Sequence, residues 1–342
     1  MTALSVVTAR PRGGVVVLVV GANLTIDRTL HLTRLRPGSV QRPDHAVASP
    51  GGKAVNVCRA AGASGARTRL VANLPGRMGQ LAGDLLELEG HDVVRVATSG
   101  EIRSAIIIIE EDLRTTVLNE PGPPMTAADR DLFVAAVAAE AQAEAGADGI
   151  VVASGSLPPG PDAATLYASI VDEAHRAGLR IVLDAARLDL SNALAARPDV
   201  ITPNLSEALT VLGRVPGAEA VEPDFADPRQ AAMDAASDLA GLGPAAVLVT
   251  AGRHGVAGAR RAERFWLDAP PVREVNPIGA GDAFAAGLAC GLAEGRDLLG
   301  ATRRAVATGA ASVTSPVAGQ VDPELLAELL AHMDAVSCGW VR

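Results

Sequence analysis

Apolar residues in this chain fall into short unbroken runs separated by amphipathic stretches. That pattern predicts buried strands alternating with helices. Val15 to Val20 is the first such run, and Thr68 to Asn73, Gly149 to Ala153, Leu179 to Leu183, Val200 to Thr202 and Ala245 to Thr250 repeat it. Helical periodicity predicts helices at Ala54 to Ala63, Met78 to Leu88, Thr126 to Ala145, Asp162 to Ala177, Pro228 to Ala240, and over 283–292 and 297–313. Thr126 reads as an N-cap, and Asp322-Pro323 opens a last helix with a cap and a first-turn proline. Val272 to Val275 reads as the end of a further strand.

Strands alternating with helices predict an α/β fold with a doubly wound, largely parallel sheet. Such sheets bind ligands beyond the carboxyl ends of their strands. Asn23, Asp27, Ser154, Asp184, Asn204, Thr250 and Asp282 fall at those ends. Val93 to Val96, Ala105 to Ile109 and Thr115 to Leu118 are β-rich, with Glu110-Glu-Asp-Leu113 as a hairpin turn. The segments at about 28–50 and 100–120 do not suit a helix-covered sheet. They read as a small β-sheet projecting over the site, a candidate lid. Residues 1–14 read as a flexible extension and 15–342 as a single domain.

Composition refines this picture. Aromatics are only 2% of the residues, so the core is built from Ala, Val, Leu and Ile. A net charge of −9 with dispersed basic residues argues against a nucleic-acid partner. Three cysteines without metal spacing suggest free thiols in a reducing cytoplasm, and the histidines show no ligand pairing. Arg10 and Arg12 before Val15 to Val20 mimic a signal peptide, but Asn23 and Asp27 follow at once, as after a buried strand. No stretch is long enough to span a bilayer.

The chemistry concentrates in a few turns. Asn276-Pro-Ile-Gly-Ala-Gly-Asp282 leads into an apolar helix. Its glycines permit close backbone approach, the helix N-terminus favours an anion, and Asp282 stands in the first turn. An anion cradle beside a base is what phosphoryl transfer to a hydroxyl needs. The plain alternative is a turn with a dipole-stabilising aspartate. Pro50-Gly-Gly-Lys53-Ala-Val-Asn56 combines close backbone approach with a cation suited to phosphate, or is a turn with a solvated lysine. Arg103 either marks a strand end or offers bidentate donors to a phosphate. Thr202-Pro-Asn204-Leu-Ser-Glu207 reads as a helix-capping arrangement. The functional alternative there is contact to a hydrated Mg²⁺ and nucleotide phosphate. Thr250-Ala-Gly252-Arg-His-Gly255 suits a hairpin turn or a wall against a nucleotide.

In this order and spacing, six pieces resemble the ribokinase-like sugar kinases of the phosphofructokinase B family. They are Asn23-Leu-Thr-Ile-Asp27, Gly51-Gly-Lys-Ala-Val-Asn56, Asn119-Glu-Pro-Gly-Pro123, Ser154-Gly-Ser-Leu-Pro-Pro159, Pro203-Asn-Leu-Ser-Glu207 and Gly279-Ala-Gly-Asp282. The resemblance spans about residues 15 to 335 and points to the branch of tagatose-6-phosphate kinase, 1-phosphofructokinase and the minor 6-phosphofructokinase. It implies a ribokinase-like fold with a small β lid, and ATP- and Mg²⁺-dependent phosphorylation of a phosphorylated ketohexose.

By that resemblance, Asp282 is the base, and the N–H groups of Gly279, Ala280, Gly281 and Asp282 form an anion hole. Asp27 and Asn56 hold sugar hydroxyls beside Gly52, while Lys53 and Arg103 bind the phosphate already on the substrate. Asn204, Thr250, Gly252, Gly255 and Gly281 serve ATP, and Glu207 serves the metal through water. The resemblance also brings the monovalent cation that family members often use near the last glycine motif, and a homodimer through the lid. Ala54 departs from the glycine usual after the lysine, and Asn276-Pro277 resembles the tagatose-6-phosphate kinase branch. The competing readings are a kinase of an unphosphorylated sugar or nucleoside, and a catalytically dead ligand sensor on the same scaffold.

Overall fold

The computed structural model describes residues 16–112, 114–146, 149–215 and 225–341. A nine-stranded sheet carries the fold. In chain order its strands are β1 (Val16–Gly21), β4 (Arg67–Asn73), β5 (Asp92–Val96), β8 (Ile150–Ser154), β9 (Arg180–Asp184), β10 (Val200–Ile201), β11 (Ala246–Thr250), β12 (Val256–Arg260) and β13 (Glu263–Leu267). Their spatial order is β13-β12-β11-β10-β9-β8-β1-β4-β5. Every neighbour pair from β11 to β5 is parallel, and only the edge hairpin of β12 and β13 runs antiparallel.

Unbroken apolar runs make these strands because both sheet faces are covered. On β1, Val17 and Val19 face one hydrophobic cluster, and Leu18 and Val20 the other. The first face is covered by α1 (Lys53–Ala63), α2 (Gly76–Leu88), α8 (Ala280–Ala293), α9 (Leu298–Ser312) and α10 (Pro323–Ala335). The second is covered by α3 (Ala127–Ala143), α4 (Leu166–Arg176), α5 (Arg187–Ala193), α6 (Leu205–Val211) and α7 (Pro228–Ala240). Small side chains let the helices approach closely. A Cβ added at Gly287 of α8 would stand 2.4 Å from Thr308 Oγ1 of α9.

A second sheet of four strands, in the order β3-β2-β6-β7, stands apart from the first. Its strands are β2 (Thr25–Leu32), β3 (His45–Gly51), β6 (Arg103–Glu110) and β7 (Thr115–Asn119). Leu24, Ile26 and Ile102 join its base to the core of the large sheet. Val47, Ile106, Val117 and Leu118 are exposed on it. This is the small sheet expected from about 28–50 and 100–120, and Glu111 and Asp112 turn between β6 and β7 as expected.

Two expectations change. Val272 to Val275 is not a strand; the segment is held by Val275 and Asn276 N–H groups donating to the Val313 carbonyl. The helix expected from Asp162 starts as a 3-10 turn at Pro161–Thr165 and becomes α-helical at Leu166. The N-terminal extension lies outside the described residues. Among the described residues, no helix is long and apolar enough to cross a membrane.

Candidate active site

The carboxyl ends of the central strands meet the start of α8 and the base of the small sheet. Helices α3, α7, α9 and α10 begin with side-chain caps from Thr126, Asp227, Asp297 and Asp322. By contrast, α8 begins at Gly279 and α1 at Gly52 with no side-chain cap. Both helices therefore start in glycine turns with positive dipole ends and no side-chain acceptor, although the Ala280 N–H of the α8 turn donates to the Pro277 carbonyl at 3.3 Å.

Gly279 has φ 86°, and a Cβ there would lie 2.8 Å from the Gly319 amide nitrogen. The turn therefore demands glycine on two counts. Gly281 is different. Its added Cβ would meet nothing within 4 Å, so no protein neighbour requires glycine at that place. Asn276 braces the turn, its Nδ2 donating to the Pro316 carbonyl at 3.0 Å and its Oδ1 accepting from Ile278 N at 3.0 Å.

Asp282 is buried in the first turn of α8. Its Oδ2 accepts from Asn56 Nδ2 on α1 at 2.8 Å. Asn56 Oδ1 in turn accepts from Arg59 Nη1 at 3.4 Å, which fixes which end of the amide faces Asp282. Burial holds the Asp282 pKa well above the ordinary carboxylate range, and Asp184 and Glu207 push the same way. Lys53 and the Asn56 hydrogen bond oppose the rise without cancelling it.

Lys53 Nζ stands 3.4 Å from Asp184 Oδ2 and 3.8 Å from Glu207 Oε1, with its side chain 39% exposed. Burial works against its charge, but Asp184, Glu207 and Asp282 outweigh that and keep it protonated. Asp184, at the end of β9, also accepts from Ser154 Oγ at 2.9 Å and from Thr202 Oγ1 at 3.5 Å. Thus the ends of β8, β9 and β10 form one hydrogen-bonded set beneath the lysine.

The capping reading of Asn204 and Glu207 is correct as far as it goes. Asn204 Oδ1 accepts from Glu207 N, and Glu207 Oε2 accepts from Asn204 N, a complete capping box on α6. The other Glu207 oxygen faces Lys53, and burial raises the Glu207 pKa. The same carboxylate therefore serves a structural bond and a charged cavity.

A cavity of about 890 Å³ is lined by Gly52, Lys53, Arg103, Ser154, Asn204 and Glu207, among others. Lys53 and Arg103 thus share one cavity, but their charged ends hold different partners. Arg103 Nε donates to the Asn23 carbonyl at 3.1 Å and its Nη1 to the Glu120 carbonyl at 3.3 Å. Burial lowers the Arg103 pKa, countered by the charges of Asp27 and Glu120.

Asp27 and Asn56 line a separate, larger cavity of about 1660 Å³ between the small sheet and α1, which shares no lining residue with the first. Asp27 Oδ1 is buried without a hydrogen-bond partner. Burial raises the Asp27 pKa, against the charges of Arg103 and Arg59. Its carboxylate packs on Gly51, where an added Cβ would stand 2.1 Å from Asp27 Oδ2.

Thr250, Gly252 and Gly255 line neither cavity. Thr250 forms an isolated bridge with Asn204, which places it beside the site. Gly255 has φ 132° and faces the Leu267 carbonyl, 2.3 Å from an added Cβ, so packing against β13 alone requires glycine there. Sequence reasoning gave no role to Arg59, Asp184 or Arg187. Asp184 was visible as a polar strand end, whereas Arg59 and Arg187 left no local signal.

No group of three or more His, Cys, Asp or Glu suited to a metal ion occurs among the described residues. A Mg²⁺ held by phosphates and water needs no such group; of the two carboxylates that pair with Lys53, Glu207 lines the 890 Å³ cavity, and Asp184 lies buried behind the lysine.

Comparison with known proteins agrees with this geometry. Residues 16–325 match the pfkB family carbohydrate kinase, and the chain belongs to that family. It is 31% identical to the 1-phosphofructokinase of Haloferax volcanii over 313 residues, covering 90% of this chain and 94% of that protein. It is also 31% identical to the 1-phosphofructokinase of Rhodobacter capsulatus over 312 residues, covering 90% and 92%. Its fold matches the crystal structure of phosphofructokinase-2 from Escherichia coli in complex with potassium. That match has a TM-score of 0.81 at 23% identity and covers 93% of this chain and 99% of the other.

Proposed function

We propose that this protein transfers the γ-phosphoryl group of Mg-ATP to a hydroxyl of a phosphorylated ketohexose. Fructose 1-phosphate is the first candidate, given the names of the relatives, followed by fructose 6-phosphate and tagatose 6-phosphate. The observation that carries the reading is Asp282: a buried carboxylate of raised pKa, oriented by Asn56, in the first turn of an uncapped helix.

In this reading Asp282 accepts the proton of the attacking hydroxyl, and the oxygen forms its bond to phosphorus as the bond to ADP breaks. The N–H groups of Gly279, Ala280, Gly281 and Asp282 hold the charge on the transferred group. Open space at Gly281 supports close approach of a ligand there. Asp27 and Asn56 take sugar hydroxyls beside Gly52. The unpartnered Asp27 oxygen supports this, since a buried acceptor without a donor is costly and a hydroxyl would satisfy it. Arg103 and Lys53 receive the substrate's own phosphate. Asn204, Thr250, Gly252, Gly255 and Gly281 border the nucleotide, and Glu207 orders Mg²⁺ through water. When bound, Mg²⁺ neutralises phosphate charge. A monovalent cation near the glycine turn, a cytoplasmic setting and a homodimer through the small sheet complete the proposal.

One observation favours a neutral sugar as the second reading. Lys53 is already matched by Asp184 and Glu207, so only Arg103 has a clear call for a substrate phosphate. A coupled assay of ADP release tests both readings across fructose 1-phosphate, fructose 6-phosphate, tagatose 6-phosphate, fructose, ribose and adenosine, with and without Mg²⁺. Turnover of a sugar phosphate that needs Mg²⁺ is expected. Preference for a neutral acceptor would select the second reading, and no ADP release with any acceptor would leave the dead-sensor reading.

A further inference from the structure

Arg187 opens α5 with φ 53°, a left-handed backbone that L side chains rarely adopt. Arg197 and Arg261 share the sign of φ among the described residues. Arg261 sits in the short turn between β12 and β13, and Arg197 ends a 3-10 turn as its C-cap. Left-handed residues are ordinary in both settings. Arg187 stands at a helix start, where no such turn geometry accounts for it. Strain of this kind collects at functional sites.

The side chain supplies an independent observation. Arg187 is exposed on the wall of the 890 Å³ cavity, with Asn204, Ser206 and Glu207. Its guanidinium makes no hydrogen bond or ion pair among the described residues. Arg59 and Arg103, the other arginines of the site, are both tied to neighbours. The charge of Arg187 reaches Glu207, which in turn faces Lys53. Glycine would take this backbone without strain. An arginine held there at a cost, with no partner in the chain, points to a partner outside it.

We propose that Arg187 binds the polyphosphate of the nucleotide donor, beside the Lys53–Glu207 pair. The inference rests on the kinase reading above. A guanidinium matches phosphate oxygens bidentately, where an ammonium acts as a point charge. The donor is chosen over the acceptor by position. Arg187 shares its wall with the start of α6, whereas Arg103 belongs to the small sheet.

The test compares wild type, Arg187→Gly and Arg187→Lys. Arg187→Gly relieves the backbone, so its Tm should equal or exceed that of wild type. Loss of charge-assisted bonds should raise KM for ATP by roughly tenfold or more and leave KM for the sugar phosphate within about twofold. Arg187→Lys should fall between the two in ATP KM. An unchanged ATP KM, or a rise confined to the sugar phosphate, overturns the assignment. Calorimetric titration of Mg-ATP reads the same affinity without turnover. A wild type that binds Mg-ATP but phosphorylates nothing strikes the kinase reading, while weaker binding by Arg187→Gly still supports this one. A wild type that binds no Mg-ATP overturns both.

Discussion

Asn56 and Asp282 are 226 positions apart, yet the Asn56 amide donates to Asp282 Oδ2 at 2.8 Å inside a buried site. The bond ties the start of α1 to the start of α8, so two glycine turns share one carboxylate. Asp282→Asn removes the base and keeps a side chain that suits a first helical turn. We expect kcat to fall by roughly 10²–10⁴, the usual worth of general acid–base catalysis, with little change in substrate affinity. Stability should not fall. Folded Asp282 holds its proton more tightly than the unfolded chain does, so its ionisation works against folding as pH rises through the raised pKa. Asparagine is free of that term. Near-wild-type kcat would rule Asp282 out as the base.

Asn56→Ala tests the partner through pH. The Asn56 bond lowers the Asp282 pKa, against burial and the charges of Asp184 and Glu207. Its removal should raise that pKa further. The base works deprotonated, so the acid limb of the kcat/KM profile should move to higher pH. A profile that drops in height without moving along the pH axis would confine Asn56 to sugar binding.

The two glycines before Asp282 should separate cleanly. Gly279→Ala meets both a left-handed backbone and the Gly319 amide, so thermal or denaturant unfolding should show a loss of about 1–3 kcal/mol or more. Gly281→Ala points into open space in a helix, so stability should hold or rise by up to about 1 kcal/mol. Its kcat/KM should nonetheless fall, because the methyl group occupies room the phosphoryl group needs. Full activity in Gly281→Ala would place the anion elsewhere.

Arg103 carries the substrate-class prediction. A sugar phosphate brings charge-assisted hydrogen bonds worth about 1.5–3 kcal/mol each. Phosphorylated ketohexoses should therefore exceed their unphosphorylated counterparts by roughly 10²-fold or more in kcat/KM. Arg103→Ala should erase most of that preference and leave turnover of a neutral sugar nearly unchanged. If ribose, fructose or adenosine outperforms every sugar phosphate in wild type, the hexose-phosphate assignment fails.

The small sheet supplies the last prediction. Amide exchange over 28–50 and 100–120 should slow when sugar phosphate binds, because closure excludes water from the transfer site. Equal protection with and without ligand would make the sheet a static element. Its exposed Val47, Val117 and Leu118 suit a subunit contact, which sedimentation would detect as a dimer.

Much of this protein is written locally. Continuous apolar runs at β1, β8 and β9 identify strands buried on both faces, and Thr126 and Asp322 mark helix starts through their own hydrogen bonds. The six motifs carry the family, since glycine turns and strand-end polar residues depend on backbone geometry within a few residues. Pattern alone found a β run at Val93–Val96 without placing it beside β4, because a β run does not name its partner. Nor could it show that Val272–Val275 lies outside the strands, with the Val275 N–H donating to the Val313 carbonyl.

Tertiary structure decided the partnerships. Asn56 with Asp282, Lys53 with Asp184, and Asp27 against Gly51 join different segments of the chain. It also brought Lys53 and Arg103 to one cavity while giving their charged ends different partners, and it exposed Arg187 in a conformation no neighbouring residue announces. The physical reason is range. Hydrophobic periodicity, capping and turn chemistry act over a few residues and are legible in order along the chain. Charge pairing, burial and the resulting pKa of Asp282 depend on distances that exist only after the strands have set their order in the sheet.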